Sequence, residues 1–170
     1  VIGTLGYGLV NTEGSRFIET GHTTPNVVDV HRHLATLRDQ GAEVVVMEVS
    51  SHGLSQGRVD GVNFEGAVFT NLTRDHLDYH GSMKAYGESK KRLFQTENLK
   101  FAVINADDEY AQNIASGLTD KVELLTYGIS TDADVKVIDY QLNLDAVTAI
   151  SAHIKSPLGE LNIASALIGH

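Results

Sequence analysis

Three side chains of different chemistry stand where an open α/β sheet would gather them: a carboxylate at Glu48, an imidazole at His76 and an amine at Lys90. Glu48 closes the apolar run Val44-Val45-Val46-Met47 and opens Ser50-Ser51-His52-Gly53. In sheets of this kind ligands collect beyond the carboxyl ends of the strands. The plainer reading of Glu48 is a solvated strand-end carboxylate or a cap for the turn that follows. His76 lies in TNLTRDHLDYHG (70–81), just after the next apolar run, and can reach the same edge. Asp75, Asp78 and His80 beside it add hard donors suited to Mg²⁺ or Mn²⁺. Otherwise a loop histidine is polar surface.

Lys90 is the least ordinary of the three. On a helix over 82–94 the apolar residues Met83, Tyr86, Leu93 and Phe94 form one stripe. At about 100° per residue, position 90 falls in its middle, whereas Lys84, Lys91 and Arg92 point elsewhere. One reading is a snorkelling lysine whose stem packs while its amine escapes to water. The other is a lysine with a chemical role. Desolvation favours the neutral amine, which can add CO₂ to become a carbamate, an anionic oxygen ligand. With Glu48 and His76 such a group would complete a magnesium site.

The elements that must position these groups alternate. Residues 24–40 predict a helix, with a cap at Thr24, Pro25 at the first helical position, apolar residues at 27, 30, 34 and 37, and Gly41 to close it. The β-branched runs 43–49 and 66–71 predict buried parallel strands, and 101–105 and 122–127 predict two more, with a helix over 108–116 between them. The fold class is α/β: a doubly wound, mostly parallel sheet flanked by helices. From 129 to 155 the pattern changes to short alternating segments, read as a small antiparallel β appendage near the C-terminus. Residues 160–168 return to a helical pattern with no terminating sequence.

Bulk properties narrow the function. At 170 residues and 42% hydrophobic content the chain supports one sizeable core. A net charge of −9 from 13 Lys+Arg and 22 Asp+Glu offers no broad basic surface for nucleic acid. There is no cysteine, so any metal must use oxygen and imidazole; the composition fits a reducing, cytoplasmic setting. No apolar run approaches the roughly 20 residues that span a bilayer. The expectation is a monomer without membrane insertion.

The strings EVSSHGL (48–54), TNLTRDHLDYHG (70–81) and YGESKKRLF (86–94) closely resemble the Mur ligases, and the likeness runs from GTLGYG (3–8) to the final segment. It implies a P-loop-like central domain of an ATP-dependent ligase of peptidoglycan biosynthesis, of the branch that adds the third amino acid to UDP-N-acetylmuramoyl-L-alanyl-D-glutamate. In that family the glutamate and histidine bind Mg²⁺ and the lysine is carbamoylated, roles that the resemblance gives to Glu48, His76 and Lys90. Thr23 and Thr24 match a threonine pair at the muramoyl-peptide site, and free N–H groups at the helix start beside Thr24 favour an anion. His22 stands where relatives often have asparagine. Ser50, Gln56 and Arg58 match positions that hold the muramoyl-dipeptide and its phosphates; alone, Arg58 is surface charge with the planar fork such anions favour.

Asn105 and Asp108, in Asn105-Ala106-Asp107-Asp108, resemble the family's motif beside the nucleotide, although an acidic cap explains the string on structural grounds. Asn162 matches the asparagine that reads adenine, while Ser165 replaces a second asparagine. The Ser-His proximity of Ser50-Ser51-His52 lacks the G-x-S-x-G setting of a hydrolase.

The loop G-T-x-G-K-T that cradles ATP phosphates is absent, and Gly3-Thr4-Leu5-Gly6-Tyr7-Gly8 has no Lys-Thr to replace it. The expectation is therefore that residues 1–170 are a single partial ATP-binding domain, inactive alone. The third amino acid is meso-diaminopimelate or L-lysine, the former favoured. A folylpolyglutamate synthetase-like ligase shares the scaffold, and a non-catalytic nucleotide-sugar or metal-binding module is the reading from another class.

Overall fold

A computed structural model describes residues 1–10, 16–142 and 150–166. The chain divides into two compact units, Val1–Asn63 with Arg74–Thr96, and Phe64–Thr73 with Glu97–His170.

In the first unit, β1 (Ile2–Gly3) and β2 (Gly6–Tyr7) form a small antiparallel hairpin. Helix α1 (Val27–Asp39) follows, capped by Asn26, whose Oδ1 accepts the Asp29 N–H at 3.0 Å. The helix thus begins after Pro25 rather than at Thr24, because Asn26 is the residue whose side chain satisfies a free N–H of the first turn. Val30 and Leu37 are fully buried, and each such burial contributes roughly 1.5–3 kcal/mol. Two short helices, α2 (Ser51–Ser55) and α3 (Leu77–His80), precede and follow the excursion of the chain into the second unit. Helix α4 (Met83–Lys91) is capped by Ser82 and tightens into a 3₁₀ turn over Arg92–Gln95. It buries Tyr86 and Phe94, as the apolar stripe requires.

Residues 43–49 correct the expectation of a buried strand. Among the described residues their one ladder partner is Ile2, through Ile2 N–H to Val46 C=O at 3.0 Å and Glu48 N–H to Ile2 C=O at 2.9 Å. Val44 and Val46 remain 79% and 67% exposed. A β-branched run reads as doubly buried only where partners cover both of its sides, and the described residues supply one.

The second unit is a six-stranded sheet in sequential order: β3 (Gly66–Phe69), β4 (Phe101–Asn105), β5 (Glu123–Gly128), β6 (Val135–Leu142), β7 (Ile150–Ser156) and β8 (Gly159–Ser165). The first three pair in parallel, with Phe69 opposite Ile104 and Ile104 opposite Thr126; α5 (Ala111–Ala115) connects β4 to β5. β6 extends the parallel set at Tyr127↔Val135, and β7 and β8 complete it antiparallel. Ala67, Phe69, Ala102, Ile104 and Ile114 form its core. A Cβ at Gly66 would overlap the Phe101 ring of the neighbouring strand.

Here the helix expected over 160–168 is corrected to strand β8, and positions 167–168 lie outside the described residues. A segment this short cannot sustain a helix without a surface for its apolar stripe. The hairpin closed by Gly159 (φ +117°) instead lays it beside β7, where Leu161 pairs with Ile154 and Ile163 with Ala152. The helix expected over 108–116 shortens to α5, with the Asp108 carboxylate accepting the N–H groups of Leu72 and Tyr110 before it.

Candidate functional site

The first unit brings most of the expected site residues into two connected clusters. Glu48 Oε2 accepts both the backbone N–H and the hydroxyl of Thr4, at 2.8 and 2.7 Å. Since the carboxylate only accepts, the Thr4 proton points to Glu48, and Thr23 must be the donor in the 3.0 Å contact between the two threonine hydroxyls. A side chain at Gly3 would press on this carboxylate, its Cβ 3.0 Å from Glu48 Cδ. Glycine there is what lets Glu48 lie against the backbone of β1.

Thr24 is 1% exposed and serves as a stitch. Its hydroxyl donates to the Glu48 carbonyl at 3.0 Å and accepts the Ser50 N–H at 2.9 Å, fixing the exit of the extended segment into α2. Ser50 caps α2 by accepting the Gly53 N–H at 3.0 Å. Arg58 donates through Nη1 to the Thr24 carbonyl and through Nε to Gln56 Oε1, both at 2.8 Å. Gln56 Nε2 then donates to the Tyr79 hydroxyl at 3.2 Å. Thr24, Ser50, Gln56 and Arg58 are therefore one network. His22 is exposed, and the contact at its backbone is its carbonyl accepting from the Thr20 hydroxyl at 2.9 Å.

His76 and Lys90 meet at a common neighbour. His76 sits at φ +55°, a left-handed conformation rare outside glycine, with its N–H donating to Asp75 Oδ1 at 2.7 Å. Its ring lies edge-on to His52 at 4.8 Å and to Tyr86 at 5.8 Å between centroids. Lys90 Nζ stands 5.1 Å from the centroid of the same Tyr86 ring, a cation–π distance. His80 stacks on Tyr86 at 5.2 Å and its Nε2 meets Ser51 Oγ at 2.9 Å. Burial, and then the neighbouring His52 and His76, push the His80 pKa down, against a smaller upward pull from Asp78. The Ser89 hydroxyl donates to the Ser51 carbonyl at 2.8 Å and ties α4 to α2.

Thr4, Tyr79 and the contact of Ser51 with His80 were not singled out from sequence, where His80 stood only among the donors suited to a metal. Thr4 had a signal, a hydroxyl in the glycine-rich GTLGYG; the others emerge only from the chain's path.

A model of the Mur ligase middle domain matches residues 1–170. The chain is 49% identical to the UDP-N-acetylmuramoyl-L-alanyl-D-glutamate--2,6-diaminopimelate ligase of Chromobacterium violaceum, covering 99% of the chain and 33% of that protein. It is 47% identical to the ligase of the same name from Neisseria meningitidis serogroup A, covering 99% of the chain and 34% of the relative. A solved structure bearing that ligase name superposes with a TM-score of 0.81 at 37% identity, over 96% of this chain and 34% of the other. The chain belongs to the Mur ligase middle-domain family. It spans about a third of the length of these relatives. A crystal structure of MurF from Acinetobacter baumannii, 15% identical with a TM-score of 0.54 over 63% of the chain, shares the fold.

In this Mur ligase middle domain the second unit holds the remaining expected residues. Asn105 Nδ2 donates to the Thr70 carbonyl at 2.8 Å, and Asp108 accepts the Leu72 N–H at 2.6 Å and the Tyr110 N–H at 2.8 Å. Together they bind the turn after β3 to the turn after β4. Asp107 between them accepts from three successive amides after β5: Ile129 at 2.6 Å, Ser130 at 3.1 Å and Thr131 at 2.6 Å. The Ile129 bond leads these in lowering its pKa to about 2. Asn162 lies exposed on β8 opposite His153, not on a helix.

Proposed function

We propose that residues 1–170 are the central, ATP-binding portion of a complete ligase that joins meso-diaminopimelate to UDP-N-acetylmuramoyl-L-alanyl-D-glutamate, and that the chain is inactive alone. The observation that carries this reading is the full-length family match together with relatives at 46–49% identity that bear this ligase name. No such likeness favours a folylpolyglutamate synthetase or a non-catalytic module. The proposed setting is a cytoplasmic monomer; no helix among the described residues is long and apolar enough to cross a membrane.

The first unit supports the chemistry in named parts. Arg58, with Gln56 beside it, offers to carboxylate or phosphate oxygens the guanidinium N–H groups not spent on Gln56 Oε1 and the Thr24 carbonyl. The Ser50 hydroxyl lies in the same network, that of Thr23 contacts Thr4 beside Glu48, and His22 adjoins Thr23 in the chain. Among the described residues no three His, Asp or Glu side chains form a metal-holding group. In this reading a magnesium ion would be held by Glu48, His76 and the oxygen of a carbamate on Lys90; His76 and Lys90 share the Tyr86 ring, while the Glu48 carboxylate contacts Thr4. A metal bound there would supply positive charge against the charge that builds up as the substrate carboxylate takes the γ-phosphoryl group of ATP and ADP leaves, before the incoming amine displaces phosphate. Asn105, Asp108 and Asn162 are proposed for the nucleotide side.

The test is ADP release by the complete polypeptide that contains this chain. Release should require both UDP-N-acetylmuramoyl-L-alanyl-D-glutamate and a diamino acid, with diaminopimelate preferred to lysine. A well-folded complete protein that shows no such dependence would end the proposal.

A further inference from the structure

The hydrogen bonds around Arg58 have a direction that can be followed atom by atom. A guanidinium has donors and no acceptor, so the 2.8 Å contact from Arg58 Nε fixes Gln56 with Oε1 toward the arginine. The amide's other end, Nε2, can only donate, so the Tyr79 hydroxyl accepts at 3.2 Å. The phenol proton is then left to be given away. Among the described residues no acceptor takes it. The ring is fixed in place by His52 at 4.2 Å and His80 at 4.8 Å between centroids, and Tyr79 is 43% exposed. A polarised O–H therefore stands at the end of the run Arg58–Gln56–Tyr79, aimed away from the protein groups that orient it.

We propose that Tyr79 is a substrate-binding residue that donates its hydroxyl proton to an anionic oxygen, carboxylate or phosphate, of the muramoyl-peptide ligand gripped by Arg58 and Gln56. This rests on the ligase reading above. Arg58 supplies charge and Tyr79 supplies a directional neutral donor at the far side of the same amide. An acceptor already hydrogen-bonded to a donor is polarised toward giving its own proton, so the run strengthens the terminal O–H. A ligand oxygen there makes a hydrogen bond to a charged group, stronger than a neutral pair.

The experiment uses the complete polypeptide and the substitution Tyr79→Phe, which keeps the ring against His52 and His80. The KM for UDP-N-acetylmuramoyl-L-alanyl-D-glutamate should rise about tenfold or more, with the KM for ATP and kcat within about twofold. In a Gln56→Met background the same step should still weaken binding several-fold. Calorimetric titration with UDP-N-acetylmuramoyl-L-alanine locates the oxygen. Weakening confined to the dipeptide form assigns the glutamyl carboxylate, and equal weakening of both assigns the diphosphate; either supports the proposal. An unchanged KM, a parallel change in the KM for ATP, or loss of the effect in the Gln56→Met background overturns it, the last by reducing Tyr79 to a prop for Gln56. If the unsubstituted protein shows no substrate-dependent ADP release, the ligase reading fails first and takes this proposal with it.

Discussion

The Thr24 hydroxyl donates to the Glu48 carbonyl while accepting from the Ser50 amide, so one buried side chain locks the residue proposed for the metal to the residue that caps the substrate-side helix. Removing it leaves the part-buried Ser50 N–H and Glu48 C=O without this partner at once. Thr24→Val, nearly the same in shape, should lower unfolding free energy by about 2–3 kcal/mol, and Thr24→Ser should retain most of the stability. Urea denaturation of the isolated chain measures both, and a valine variant as stable as the parent would contradict the stitch.

Glu48→Gln tests the carboxylate apart from its scaffold. The new side-chain amide oxygen can still accept from Thr4, so the melting temperature should move little, whereas Mg²⁺-dependent turnover of the complete protein should fall by about 10²–10³. Raising Mg²⁺ should recover part of the loss if the defect lies in binding the ion.

Asp107 predicts a pH dependence. Its folded pKa, about 2, lies below the ordinary 3.8 because the N–H groups of Ile129, Thr131 and Ser130 favour the carboxylate. A depressed carboxyl pKa contributes stability that is full above the unfolded value and is lost as pH falls through the folded one. Stability should therefore decline between roughly pH 4 and pH 2, and Asp107→Asn should flatten this limb while lowering stability at pH 7. Solvent screening keeps the effect modest, since the group is exposed. Urea midpoints at pH 2.5, 4 and 7 for both proteins, values chosen to bracket roughly the two carboxyl pKa limits, give the comparison.

Lys90 should be unmodified or partly carbamoylated in the isolated chain, and intact mass with and without bicarbonate reads this directly. A stable gain of one CO₂ without bicarbonate would count against the expectation. In the complete protein Lys90→Met should abolish most turnover without unfolding α4.

Much of the sheet was legible because parallel strands leave an unmistakable trace: β4 and β5 fall where the apolar runs of 101–105 and 122–127 stand, between turn residues. Helix α4 was legible from its stripe, down to Lys90 beside Tyr86. The misreadings of residues 43–49 and of the last strand share a cause. Residues 43–49 and 160–166 have patterns whose outcome depends on what lies alongside: Ile2 alone for the first among the described residues, and β7 for the second. Asn105 and Asp108 were legible as polar groups at a strand end, but their partners Thr70 and Leu72, some 35 positions away, were not.

The sequence by itself determined the kinds of chemistry available: a carboxylate, an imidazole and an amine near strand and helix ends, an acidic charge balance, and motifs that name a ligase family. Those follow from residue type, charge and periodicity, all local properties. Only the tertiary structure decided that Thr4 and Thr23 orient Glu48, that Tyr86 is shared by His76 and Lys90, and that Arg58 reaches Tyr79 through Gln56. Hydrogen-bond direction and ring contact depend on distances of a few ångströms between residues far apart in the chain, and folding sets those distances.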